Sequence, residues 1–201
     1  MTSYFLKDEP GNMKLLVHGL RKGDQEAFKK LVDTYQLSII RICRGYVRSE
    51  DDAKDIAQEV FIEVYRSIKK FRAKSTLTTW IHRIAVNKSL NYIRNNKKYI
   101  NQSIELSTIF NLSDHSVKNQ TAETTDEPVN RKDHALALHM ALDSLPAKQR
   151  TAFILREYED LSYNEIADIL QSSLSSVESL LFRARQNLRK KLYGYYKNNI
   201  Q

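Results

Sequence analysis

The sequence predicts an all-α chain of two small helical domains joined by a flexible linker, the second ending in a helix-turn-helix. Three observations carry that expectation. Helix breakers are scarce, with 5 glycines and 3 prolines in 201 residues, which favours long helices over a turn-rich sheet protein. Apolar residues recur at helical spacing over two stretches, Gly23 to about Lys98 and Asp133 to about Tyr196. Between them, Tyr99 to Arg131 is rich in Asn, Ser and Thr. It carries Glu105, Asp114, Glu123, Asp126 and Glu127 against Lys118, includes Pro128, and shows no sustained apolar period, a linker composition. The expected division is therefore a partly flexible lead-in over 1–22, with Lys14–Leu20 able to form helix. A first domain follows over 23–98, then a linker over 99–132, a second domain over 133–196 and a tail over 197–201.

The formal charge of +8 and the pI of about 9.4 favour a polyanionic partner. The single cysteine, Cys43, sits in the apolar run 37–43 and reads as a small buried hydrophobe. One cysteine forms no internal disulfide, which suits a reducing compartment. No apolar run approaches the ~20 residues needed to span a bilayer. The first ten residues, with Asp8, Glu9 and Pro10, do not resemble a signal peptide. A soluble, cytoplasmic protein without direct membrane insertion is expected.

Near the C-terminus, Ser162-Tyr163-Asn164-Glu165 is a capping box, in which the serine caps early amides and the glutamate reaches back. Ile166, Ala167, Ile169 and Leu170 then form one apolar face. Gln171-Ser172-Ser173 breaks the pattern, and Ser173 or Ser175 can cap the next helix. In that helix Val177, Leu180, Leu181, Ala184 and Leu188 face the core at i, i+3, i+4, i+7 spacing. The opposite face shows Ser176, Ser179, Arg183, Gln186 and Lys190. From Ser173 to Gln201 there are six basic residues and one acid, Glu178. Hydroxyls at the start of the second helix and cations along one stripe fit a major-groove reader, with small side chains at base edges and Arg183 and Lys190 at phosphates.

Charge is segregated in the first domain. Glu50 to Glu63 holds six acids against Lys54, whereas Arg66 to Lys98 holds ten Lys and Arg and no acid. That pattern suggests two surfaces for two partners, one of them nucleic acid. As a helix over Asp51–Phe71, the acidic stretch puts Ala53, Ile56, Ala57, Val60, Val64, Ile68 and Phe71 in the core. Asp55, Gln58, Glu59, Ile62 and Tyr65 fall on the other face, an isoleucine and an aromatic rimmed by an amide and acids, as in a small interface. In the basic stretch, Lys74-Ser75-Thr76 is a short polar loop flanked by Phe71 and Trp80. Arg83, Asn87, Asn91 and Arg94 recur every three or four residues along the helix that follows, where the asparagines can read base edges and the arginines hold phosphates. Trp80 reads first as a core aromatic and second as a base platform.

These segments resemble a known family. The stretches 141–150, 161–167 and 177–185 resemble the second conserved domain of bacterial RNA polymerase sigma factors, and most of all the small extracytoplasmic-function group. The stretch 52–61 resembles the family's polymerase-docking helix, and 71–87 its −10-reading and melting segment. The resemblance spans roughly 24–98 and 135–192. It implies a non-enzymatic initiation factor that binds core RNA polymerase, directs it to promoter DNA through −10 and −35 elements and helps melt it. It places the polymerase surface at Asp55, Gln58, Glu59, Ile62 and Tyr65. The −10 surface falls at Lys74, Ser75, Thr76, Thr79, Trp80, Arg83, Asn87, Asn91 and Arg94, with the 74–76 loop capturing a flipped base. The −35 surface falls at Ser173, Ser175, Ser176, Ser179, Arg183, Gln186 and Lys190. It also implies an anti-sigma factor, in this family often a membrane-anchored one, as a partner. No cofactor or metal is expected, and the five histidines are scattered. The chain departs from the family pattern at Gln171, where glycine is common, at Glu178 and Leu180, where many relatives are basic, at Asn91 and at Tyr65. A stand-alone helix-turn-helix regulator with an N-terminal effector or dimerisation domain is the alternative that the residues alone leave open.

Overall fold

The structure, a computed structural model, describes residues 10–114 and 127–199. Among these residues every regular element is helical. α1 (Pro10–Lys22) opens with proline at its first position, where the missing amide hydrogen would be unpaired in any case. α2 (Gln25–Arg44) starts at Asp24, whose carboxylate accepts from the Glu26 amide. α3 (Glu50–Ser67) is capped by Ser49, carries Glu50, Asp51 and Asp52 in its first turn, and runs into a short 3-10 turn at Ile68–Lys70.

α4 spans Leu77–Asp114, well past the expected start of the linker at Tyr99. No glycine or proline interrupts this stretch, and extending an existing helix costs far less than starting one, so polar composition alone does not end it. α5 (Glu127–Asp143) likewise begins inside the expected linker, with Pro128 tolerated in the first turn. The remainder of the expected linker, 115–126, lies outside the described residues, as do 1–9 of the lead-in. α6 (Ala147–Glu159), α7 (Tyr163–Leu170) and α8 (Leu174–Asn199) complete the chain.

The core residues read from periodicity are buried: Ala53, Ile56, Ala57, Val60, Val64, Ile68 and Phe71 in the first domain, and Val177, Leu181, Ala184 and Leu188 in the second. Leu180 is half-buried. Cys43 is sealed in the core, where burial raises its thiol pKa to about 11. The lead-in is more than a lead-in, since Val17 and Leu20 of α1 are buried in the same core as α2 and α3.

The two domains pack directly on each other. One continuous apolar cluster runs from α1–α4 into Ala152, Ile154 and Leu155 of α6, Ile166 and Ile169 of α7, and Val177 and Leu181 of α8. A second, smaller cluster joins Ala141, Leu142 and Leu145 to Ala184 and Leu188. Polar groups pin the seam. Arg150 donates to the Gly45 carbonyl from Nε (3.0 Å) and Nη2 (2.9 Å), pairs with Asp143 and lies over the Tyr46 ring. The Tyr46 hydroxyl donates to Thr151 at 2.7 Å.

Candidate nucleic-acid interface

The face of α3 turned away from the core holds Asp55, Gln58, Glu59, Ile62 and Tyr65, all exposed. Ile62 is 40% and Tyr65 55% exposed, so two sizeable apolar side chains sit in water on one strip. Tyr65 is steadied by an edge-on contact with Phe28 of α2, ring centroids 5.4 Å apart. Glu59 is partly neutralised by Lys88 of α4, at 3.2 Å.

Between the 3-10 turn and α4 the chain makes a tight turn in which Ala73 adopts a left-handed φ of 51°. Lys74 and Thr76 are exposed and Ser75 half-buried. The Thr76 hydroxyl accepts from the Thr79 amide (3.1 Å) and bonds the Thr79 hydroxyl (2.8 Å), so it caps α4. Thr79 is buried and engaged there, which corrects the expectation that it faces DNA. Its position at the third residue of the helix is where a capping partner sits. Trp80 is half-buried with its ring 5.2 Å from that of Phe71, the core role expected first.

Asn87, Asn91 and Arg94 line an exposed face of α4. Arg83, expected among them, is turned to the seam, where its Nη2 donates to the Asp168 carbonyl of α7. Its neighbour His82 is buried, bonded through Nε2 to Ser38 (2.9 Å), and burial lowers its pKa to about 4. Ser38 in turn donates to Glu159 of α6.

The helix-turn-helix is α7–turn–α8. The capping box forms as read: Ser162 accepts from the Glu165 amide, and Glu165 accepts from the Ser162 amide at 2.8 Å. Gln171 takes a left-handed conformation (φ 51°, ψ 49°). Of the two capping candidates it is Ser173 that accepts from the Ser176 amide, at 3.2 Å. Ser175, Ser179, Arg183, Gln186 and Lys190 are exposed along α8, Ser173 is exposed at its start, and Ser176 is half-buried. Phe182 was not anticipated: it is 62% exposed, three residues after Ser179 and four before Gln186, hence on the same face. Its isolation from the core period is the sequence signal for it. Arg185, also exposed, pairs at the surface with Glu157 of α6 at 2.9 Å.

Comparison with known proteins bears on both halves. The Sigma-70 region 2 model matches residues 31–99 and the Sigma-70 region 4 model residues 135–188. The RNA polymerase sigma-H factor of Pseudomonas aeruginosa is 35% identical over 179 residues, 88% of this chain and 92% of that protein. The chain belongs to the extracytoplasmic-function group of RNA polymerase sigma factors. Within that group, the sigma-E factor of Haemophilus influenzae is 34% identical over 88% of this sigma factor and 93% of its own length. That of Escherichia coli K12 is 32% identical over 89% and 93%. The fold is shared with CnrH, solved in complex with the cytosolic domain of CnrY (TM-score 0.66, 20% identity, 90% of this chain and 97% of that one). It is also shared with RpoE of Bartonella quintana, solved with the anti-sigma factor NepR (TM-score 0.57, 21% identity, 83% and 96%). In the sigma factor α4 and the helix-turn-helix are packed together, and no helix of the described residues is long and apolar enough to cross a membrane.

Proposed function

We propose that this alternative sigma factor divides its work among three surfaces. The α3 strip, Asp55, Gln58, Glu59, Ile62 and Tyr65, docks on core RNA polymerase. The 74–76 turn with Asn87, Asn91 and Arg94 takes the −10 element. The outer face of α8, Ser173, Ser175, Ser176, Ser179, Phe182, Arg183, Gln186 and Lys190, takes the −35 element. The protein acts in the cytoplasm, catalyses no reaction of its own, and is held in reserve by an anti-sigma factor. The observation that carries the reading is the α3 strip: one face of the helix is wholly core, and the other leaves an isoleucine and a tyrosine in water, rimmed by acids. An apolar centre with a charged rim is what a partner surface requires. A stand-alone regulator has no use for such a strip beside a basic stretch, Arg66 to Lys98, that carries no acid.

Arg83 belongs to this scheme in a second state. The −10 and −35 elements lie about 85 Å apart along B-DNA at ~3.4 Å per base pair. Here α4 packs directly on α7, so the packed form engages at most one element. Promoter binding therefore separates the domains and frees Arg83 from Asp168 for DNA. The test is gel filtration with purified core polymerase. The wild-type chain co-elutes, whereas Ile62→Asp, placed on an exposed position, does not. Co-elution of that variant at wild-type affinity would remove the α3 assignment.

A further inference from the structure

α1 precedes the residues that the Sigma-70 region 2 model matches, 31–99, and the three surfaces above leave it without a role. It lies against the turn that joins the 3-10 turn to α4, and the two line a solvent-open pocket of about 330 Å³. Met13, His18 and Arg21 form one side, and Phe71, Ser75 and Thr76 the other. The arrangement is held firmly. Arg21 Nη2 donates to the Phe71 carbonyl, tying α1 to the residue that opens the turn. Gly19 lets α1 lie close to the start of α2, where a Cβ would stand 2.8 Å from that of Ala27.

The chemistry of the walls identifies the class of occupant. The floor is apolar and aromatic, from Val17, Leu77 and the Phe71 ring, while Ser75, Thr76 and His18 bring hydrogen-bonding groups. Among the lining residues the charged ones, Lys14 and Arg21, are both cations. α1 contains Lys14, Arg21 and Lys22 and no acid, and the segment from Arg66 to Lys98 contains none either. A flat, partly apolar ring carried on a polyanionic chain satisfies both features, and that is an unstacked base of single-stranded DNA. An imidazole offers two ring nitrogens for hydrogen bonds to a base edge. A thioether is polarisable and packs on a ring face.

We propose that α1 is the second wall of the base-capturing pocket, with Met13 packing on an unstacked base of the melted promoter strand and His18 selecting it by its edge. This rests on the reading of the 74–76 turn as a −10 surface, and it makes α1 a determinant of promoter specificity. Arg21 is a positioning residue, acting through the Phe71 carbonyl.

The experiment uses the full chain assembled with core polymerase. The probe is a pool of fork-junction DNA, duplex upstream, with six randomised nucleotides on the unpaired non-template strand. Pools selected on wild type, Met13→Ala, His18→Ala, His18→Gln and a Ser75→Ala, Thr76→Ala double variant are sequenced. His18 is exposed, whereas Met13 is half-buried and packs against the core, so co-elution with polymerase is used to check that each variant keeps its fold. His18→Ala and Met13→Ala are expected to lower base enrichment at one shared position by about fivefold or more, leaving the other five unchanged. His18→Gln, which keeps a donor and an acceptor, is expected to restore preference there, for the same or a different base. Wild-type profiles in both α1 variants, beside a lost preference in the turn variant, would show that α1 is only a strut and overturn the inference alone. An unchanged profile in the turn variant as well would bring down the −10 reading of the turn with it.

Discussion

Glu159 of α6 is buried, and Arg41 of α2 reaches across the domain seam to it with two hydrogen bonds, Nε at 2.7 Å and Nη2 at 3.1 Å. Ser38 adds a third donor from α2. The pair is asymmetric: the Glu159 side chain is wholly enclosed, whereas that of Arg41 is 52% exposed. Removing the arginine strands a carboxylate in the interior, while removing the carboxylate returns the guanidinium to water. Arg41→Ala should therefore weaken the packed form by about 3–5 kcal/mol. Glu159→Gln, which keeps an acceptor, should cost only about 1.5–3 kcal/mol. Small-angle scattering of the free protein, read as the rise in radius of gyration, checks the order. A larger expansion for Glu159→Gln than for Arg41→Ala would mean that the seam does not depend on this pair.

His82 makes the same seam sensitive to acid. Burial lowers its pKa from 6.5 to about 4, so the folded state holds the neutral ring. Above pH 6.5 the ring is neutral folded or unfolded, and its environment carries no pH-dependent penalty. Below 6.5 the unfolded chain takes up a proton that the folded one refuses, so stability falls until about pH 4, where the folded ring is protonated too. The full loss is about 3 kcal/mol. Urea unfolding at pH 7 and pH 4.5 should show His82→Gln losing less stability over this interval than wild type by roughly 2 kcal/mol. Equal losses would place the acid sensitivity elsewhere.

Most of the helical periodicity was legible from the chain alone, because each helix buries one face and Leu, Ile, Val and Ala mark it. The surfaces were legible for the same reason in reverse: Asp55, Ile62 and Tyr65 fall outside the core period of α3, as Gln186 and Lys190 do on α8. What stayed hidden depends on contacts far apart in sequence. Glu159 and Arg41 are 118 residues apart and read as ordinary surface charges. Arg83 has the spacing of a DNA contact, yet its donor is taken by the Asp168 carbonyl, which no periodicity announces. Thr79 was misplaced because capping of α4 by Thr76 turns its hydroxyl inward. The run of α4 past Tyr99 to Asp114 was hidden too, because polar composition does not end a helix and no glycine or proline stands in that stretch.

Gln171 bears a backbone cost that can be removed. Its left-handed φ of 51° ends α7, a conformation that carries about 1 kcal/mol of strain in a residue with a Cβ and very little in glycine. Glycine also frees the unfolded chain, which offsets part of the gain. Gln171→Gly should stabilise the protein by about 0.5–1 kcal/mol, seen as a rise in melting temperature without loss of helicity. Since the side chain is exposed beside the start of α8, duplex −35 binding by the holoenzyme should change little. Destabilisation would indicate that Gln171 makes compensating interactions through its amide.

Gly45 sits where α2 meets α6, and the close approach there admits no side chain. A Cβ would stand 2.6, 2.7 and 2.9 Å from three side-chain carbons of Ile154, which is itself fully buried. The backbone is ordinary, with φ at −67°, so alanine is disfavoured by space and not by conformation. Relief requires Ile154 to leave its rotamer or α6 to move, and α6 carries Arg150, which is bonded to the Gly45 carbonyl. Gly45→Ala should therefore cost about 1–3 kcal/mol and loosen the seam at the same point as Arg41→Ala. Ile154→Ala alone leaves a cavity and costs about 2–5 kcal/mol. Combined, the new methyl fills part of that cavity, so the double variant should be more stable than the sum of the single effects predicts by at least about 1 kcal/mol. Strict additivity in chemical denaturation would show that the two residues are not in contact in solution, and that the domains of the free sigma factor stand apart.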